Sequence, residues 1–203
     1  MYSNSINMKY ISFILILRVS NWKCLDAKGS LNPEQQICPD PEILEPCECL
    51  FSPEKDLYLR CYEQIKNDSQ LIDIFRRDFP TRNFYEFTLN GSPLKSLGNF
   101  FNGASFRKIY LENLPQLESI SADWLESSRD KLSAIIISNV SLSDGSFPFE
   151  SVESYTKLTE MNIDGTHIET FPALRSNSLV SVGFQNAPVL SVPSGTVYIY
   201  IYI

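Results

Sequence analysis

The sequence predicts an α/β solenoid: an arc of stacked units, with short parallel strands on the concave face and irregular or helical limbs on the convex side. Three observations predict it. From Leu158 to Ile168, apolar residues fall at offsets 0, 3, 5 and 10 (Leu158, Met161, Ile163, Ile168), with small Thr166 at offset 8. The middle of that stretch alternates as a strand does, Met161 and Ile163 to one side, Glu160, Asn162 and Asp164 to the other. Second, four more stretches repeat the spacing, beginning at Phe84, Phe106, Leu132 and Leu179. Third, a cluster of cysteines stands just ahead of the first of them.

The shared pattern is that of a leucine-rich repeat, L-x-x-L-x-L-x-x-N-x-L. Leu132, Ile135, Ile137, Val140 and Leu142 fit at every apolar offset, as do Leu179, Val182, Phe184, Ala187 and Val189. Phe84, Phe87, Leu89, Ser92 and Leu94 fit with aromatic substitutions. Phe106, Ile109, Leu111 and Leu114 fit, but Leu117 comes one residue late. The starts are 22, 26, 26 and 21 residues apart, within the roughly 20–29 residues of such a unit. Any one match is weak, because apolar runs are common; five nearly in register are strong. A single strand cannot bury its apolar face, so the copies must stack.

The chain of 203 residues suffices for one sizeable domain. Its net charge is −7; the first 27 residues contribute +2, so the remaining 176 carry −9. An acidic body argues against a nucleic-acid footprint, which would be basic.

Residues 1–27 read as a secretory signal peptide. Lys9 precedes the apolar run Tyr10 to Leu17, and Arg18 follows it. The run is too short for a membrane-spanning helix, which needs roughly 20 apolar residues. Met8 is an alternative initiator, and cleavage is expected near Ala27, with Leu25 at the third position back. A buried helix or strand of the domain is the other reading of the same run. A cut at Ala27 removes Cys24 and leaves four cysteines, Cys38, Cys47, Cys49 and Cys61, an even number for a secreted chain. Residues 28–61 then form a linker and disulfide cap. A solenoid exposes the apolar end of its first repeat, which a cap covers, and a cap too small for its own core is stapled by disulfides. Three pairings are open to four cysteines. A zinc site would want paired C-x₂₋₄-C spacings, which Cys47-Glu-Cys49 does not supply.

Cys38-Pro, then Cys47-x-Cys49, then Cys61 ahead of the repeats resembles the cysteine-rich N-terminal cap of extracellular leucine-rich-repeat proteins. That resemblance implies Cys38–Cys49 and Cys47–Cys61. The whole opening from Cys38 to Cys49, with the degenerate repeats, is similar to arthropod secreted proteins named after the non-catalytic subunit of a shrimp luciferin monooxygenase. In that enzyme the leucine-rich chain accompanies a separate catalytic chain. The likeness covers roughly residues 38–193 and implies a partner-binding protein with no light-producing chemistry of its own.

The repeats occupy residues 62–193. Leu71, Ile72, Ile74, Phe75 and Phe79 can line one side of a short helix, which Pro80 is expected to end, while Lys66 to Gln70 read equally as a loop. Later return limbs are expected at 98–105, 121–130 and 144–157, with Trp124 and Leu125 covering the convex end of the core. Pro115, Pro172, Pro188 and Pro193 lie outside the strand cores, where a missing amide donor costs least. The ninth slot, normally Asn, holds Ser92, Leu114, Val140, Thr166 and Ala187. Asn stands one place early at 113, 139 and 186, with Gly91 and Gly165 in the same slot of the other two repeats. The turn is therefore expected to differ from repeat to repeat, in an irregular solenoid.

Outward strand positions form the candidate binding face. They include Glu86, Lys108, Tyr110, Glu112, Ile136, Glu160, Asn162 and Asp164. Stacking brings Tyr110 beside Ile136, ringed by carboxylates; exposed aromatic and branched residues there point to a protein ligand or partner subunit. A solvated sheet face is the plainer reading. Sequons occur at Asn67, Asn90 and Asn139. Asn67, in a polar linker, is the best candidate; Asn90 sits on the concave side, and Asn139 in a turn slot that can be inaccessible.

No active site emerges and no cofactor is expected. The only histidine, His167, lies in a repeat turn, and no serine sits in a nucleophile elbow. Glu160 and Asp164 are a carboxylate pair in principle suited to glycoside hydrolysis, but such charges are common on binding faces. The expectation is a secreted, non-enzymatic binding protein with no nucleic-acid partner and no membrane span. An extracellular matrix, adhesion or receptor-ectodomain fragment is the alternative.

The tail 194–203 ends in alternating Tyr and Ile. That is how a TA dinucleotide repeat translates, so a gene-model artefact on a truncated chain is expected; a last strand closing the sheet is the other reading. A transcript continuing in frame into further repeats after Gly195 decides between them.

Overall fold

Period-two alternation makes strands, and here the strands stack in chain order. The computed structural model describes residues 38–142, 147–168, 171–186 and 198–202, all in the unit Asn32–Ile203. Among the described residues one sheet contains β1 (Cys47–Phe51), β2 (Leu57–Cys61), β3 (Asn83–Asn90), β5 (Ser105–Leu114), β7 (Ala134–Val140), β8 (Glu160–Asp164), β9 (Ser181–Gln185) and β10 (Tyr198–Tyr202), neighbours in that order. β1 and β2 are antiparallel; every later pair is parallel. The register sets Phe84 opposite Phe106, Ile109 opposite Ile135, Ile135 opposite Met161, and Met161 opposite Val182. Each aligned apolar position thus stacks on its copy, and these side chains are all buried. β2 joins the sheet through Leu59 opposite Phe87, so the strand that carries Cys61 continues the parallel stack.

The residue at one slot near the end of β3, β5, β7, β8 and β9 has a left-handed φ in every case, while the side-chain bonds around that slot vary from repeat to repeat as expected. Gly91, Asn113, Asn139, Gly165 and Asn186 have φ of 70°, 52°, 52°, 57° and 49°. This left-handed region costs most L-residues about 1–2 kcal/mol, while Gly and, to a lesser degree, Asn tolerate it. The Asn side chains then bond along the stack: Asn139 Nδ2 donates to Asn113 Oδ1 (3.2 Å), and Asn113 Nδ2 to Asn90 Oδ1 (3.2 Å). Farther on, Asn186 Nδ2 donates to Asp164 Oδ1 at 3.0 Å. Where the ninth slot is hydroxylic it serves the backbone. Ser92 Oγ donates to the Ile65 carbonyl (2.8 Å), and Thr166 Oγ1 donates to the Asp164 carbonyl (3.2 Å) while accepting from Val140 N–H (3.3 Å).

The helix α2 spans Asp68–Arg76. Asn67 caps it, its Oδ1 accepting from Gln70 N–H at 3.1 Å, so the polar stretch open to a loop reading is half helix. Leu71, Ile74 and Phe75 are buried while Ile72 is only partly so. Pro80 does not end this helix. It stops at Arg76, where the Arg82 guanidinium takes the carbonyls of Phe75 (3.2 Å) and Arg77 (3.0 Å), and Asn102 Nδ2 also reaches Phe75 (3.1 Å). These side-chain donors satisfy carbonyls that the next helical turn would otherwise occupy. Phe75 meets Phe101 edge-on with centroids 4.9 Å apart, and Phe101 meets Phe106 at 4.9 Å. Such pairs each add about 0.5–1.5 kcal/mol beyond burial.

Other connections are short. β4 (Ser96–Leu97) pairs with β6 (Ser119–Ile120) in a second, two-stranded sheet, followed by a 3-10 turn at Glu126–Ser128 and helix α3 at Phe149–Val152. Trp124 and Leu125 are buried. At the other end, α1 (Pro41–Leu44) precedes β1, and disulfides join Cys38 to Cys49 and Cys47 to Cys61. These are the pairs that the resemblance implies. Cys47 also faces Cys61 across the β1–β2 ladder. In the tail, β10 runs parallel to β9 with Tyr198 opposite Ser181. The leader with its Ala27 cut, Cys24, the start of the linker, residues 143–146, Ala187 to Pro193, and the rest of the tail lie outside the described residues.

Candidate partner-binding face

Side chains that alternate with the buried ones share the opposite face of the sheet. The register sorts all eight expected face residues into three cross-strand rows. Glu86 stands opposite Lys108, and Ala134 separates Lys108 from Glu160. Tyr110 stands opposite Ile136, and Ile136 opposite Asn162. Ser138 separates Glu112 from Asp164. Two outward positions are nonetheless covered: Ala134 is 3% exposed and Thr88 9%. Both are short side chains overshadowed by longer neighbours in their rows.

Tyr110 and Ile136 are half-buried, an apolar step in the middle row. Beyond Asn162 that row continues to Gly183, where a Cβ would lie 2.5 Å from Asn162 Oδ1. The glycine therefore leaves room for the Asn162 amide, which donates to Glu160 Oε1 at 2.6 Å. Burial, then the Glu86 charge, pushes the Tyr110 phenol above its ordinary value, with Lys108 opposing. Lys108 in turn lies 5.3 Å from the Tyr85 ring centroid. Interaction with the Tyr85 hydroxyl holds the ammonium above its ordinary value, against partial burial. At pH 7 this face therefore presents a neutral Tyr110 phenol beside a charged Lys108 ammonium.

β2 adds residues that the sequence reading did not include. Arg60 Nη2 lies 3.6 Å from Glu86 Oε1, and Tyr62 Oη donates to Glu48 Oε1 at 2.8 Å. Arg60, Tyr62 and Glu86, with Thr88, Asn90, Tyr110 and Glu112, line a depression of about 370 Å³. The signal was present: Leu57, Leu59 and Cys61 alternate with Tyr58, Arg60 and Tyr62.

The three sequons differ. Asn67 is exposed, and its Oδ1 serves as helix cap. Asn90 is half-buried and its Nδ2 donates to Glu112 Oε2 at 2.9 Å. Asn139 is exposed in its turn slot, but its Nδ2 is engaged with Asn113. His167 is exposed. Among the described residues no group of three or more His, Cys, Asp or Glu is placed to hold a metal, and no helix is long and apolar enough to cross a membrane.

No protein-family model matches the chain. The chain spans less than half the length of the curated relative it matches: the aligned 158 residues are 77% of this chain and 43% of that protein. Over them it is 28% identical and thereby similar to the Oplophorus-luciferin 2-monooxygenase non-catalytic subunit of Oplophorus gracilirostris.

Proposed function

We propose that this chain is an extracellular leucine-rich-repeat solenoid that recognises a protein partner through the outward face of its strands, acting as a non-catalytic subunit of a secreted complex. The observation that carries the reading is the middle row, where Tyr110 stands opposite Ile136 in register, both partly exposed and flanked by carboxylate rows. A tyrosine in such a setting is a common anchor of protein interfaces, and the apolar Ile136 beside it extends the contact. The likeness to a chain named as a non-catalytic subunit supports the same role. Two disulfides support an oxidising compartment. An Asn67 glycan fits this setting: of the three sequon amides, its Nδ2 alone makes no hydrogen bond to another described residue. A glycosidase mass shift that disappears in Asn67→Gln tests it.

The main test is capture from the fluid into which the protein is secreted, with wild type and Tyr110→Asp/Ile136→Asp compared. The expected result is loss of a discrete oxidoreductase partner with an unchanged thermal midpoint. Capture that survives the double variant overturns the face assignment, and matrix or receptor partners replace the subunit role by adhesion.

A further inference from the structure

We propose that the N-terminal rim of the sheet is a binding groove for a sulfated polysaccharide. A groove of about 590 Å³ runs along the starts of successive strands. Lys55, Arg107, Lys131 and Lys157 line it against a single carboxylate, Asp56. All four cations are exposed, on a chain whose net charge is −7. The ion pairs among the described residues join Arg60 to Glu86, Arg76 to Asp73 and Arg129 to Glu126, and none of them neutralises the groove.

Neutral groups hold two of these cations in place. The Lys131 ammonium donates to Ser105 Oγ (2.9 Å) and to Asn83 Oδ1. The Arg107 guanidinium lies 5.4 Å from the Tyr85 ring centroid. Both are positioned while their charge stays uncompensated, which favours an anion and lowers the ordering cost of binding it. The rim is also tightly stitched: Ser133 N–H donates to the Arg107 carbonyl (2.7 Å) and Thr159 N–H to the Ser133 carbonyl (3.0 Å). Hydroxyls of Ser133 and Thr159 therefore alternate with charge along a rigid line.

That line suits a polyanion with closely spaced charges and hydroxyls better than an acidic peptide. Neighbouring strands repeat about every 4.8 Å, whereas same-face side chains of an extended peptide repeat about every 6.7 Å and drift out of step. The groove also offers no sheet edge to pair with a peptide backbone. None of the eight expected face residues lines it.

The test is calorimetric titration of the full secreted chain with a sulfated heparin dodecasaccharide. Saturable binding is expected, weakening as NaCl rises from about 50 to about 200 mM. Arg107→Gln/Lys131→Gln/Lys157→Gln should bind about tenfold more weakly, and Lys157→Gln alone, which disturbs no hydrogen bond, roughly threefold. Lys66→Gln/Arg76→Gln/Arg175→Gln removes equal charge outside the groove and should stay within about twofold. Absence of saturable binding, equal losses in both triple variants, or equally tight binding of a polyglutamate of matched charge overturns the proposal; the last assigns the groove to an acidic polypeptide.

Discussion

A Cβ added to Gly165 would lie 2.4 Å from Oδ1 of Asn139, the residue in the same turn slot one repeat earlier. Gly165 has φ of 57°, so alanine there meets both backbone strain and a side chain already bonded to Asn113. Gly165→Ala should cost about 1–3 kcal/mol in urea unfolding. Asn139→Gly in the same chain removes the collision and should recover part of the loss. The pair would then be non-additive in a double-mutant cycle; strict additivity would show that backbone strain alone is responsible.

Trp124 is fully buried, and its Nε1 has no hydrogen-bond partner among the described residues. Trp124→Ala should cost about 3–5 kcal/mol through the cavity it opens. Trp124→Phe keeps most of the packing and removes the orphan donor, whose desolvation costs about 1–3 kcal/mol. Its net loss should therefore be much smaller. Chemical denaturation of the two variants, compared at equal m-values, checks the ordering.

Cys61 is fully buried and Cys47 nearly so, whereas Cys38 and Cys49 are only partly buried. Access should then order reduction: Cys38–Cys49 opens first under mild dithiothreitol, as read by alkylation and mass spectrometry. Replacing both members of the Cys47–Cys61 pair by serine should cost about 2–4 kcal/mol, and it would leave buried hydroxyls within the β1–β2 ladder.

Burial pushes the Tyr155 phenol above its ordinary value of 10.0, with the Ser151 hydrogen bond and the Arg129 charge opposing. The folded chain then keeps a proton that the unfolded chain releases. The stability linked to it is present below pH about 10 and is lost as pH rises through the folded value. Tyr155→Phe should flatten the decline of the urea midpoint between about pH 9 and pH 11; an unchanged slope would assign the decline to other groups, such as Tyr58, Tyr62 or Tyr110.

The sequence by itself determined which residues point inward and which copy stacks on which. Leu, Ile, Phe and Val at fixed offsets identify the buried positions because a strand's two faces are distinguished by period alone. The same periodicity put Tyr110 beside Ile136, and it was present, though unused, in β2, where Tyr58 and Arg60 alternate with buried leucines. The stacked structure alone decided what depends on partners that only packing brings together. Arg82, not Pro80, finishes α2 because its guanidinium reaches the Phe75 and Arg77 carbonyls. Gly or Asn stands at one slot of every repeat because the backbone there is left-handed. Lys55, Arg107, Lys131 and Lys157 are scattered along the chain, and they meet in one groove because parallel strands bring their starting ends to the same rim.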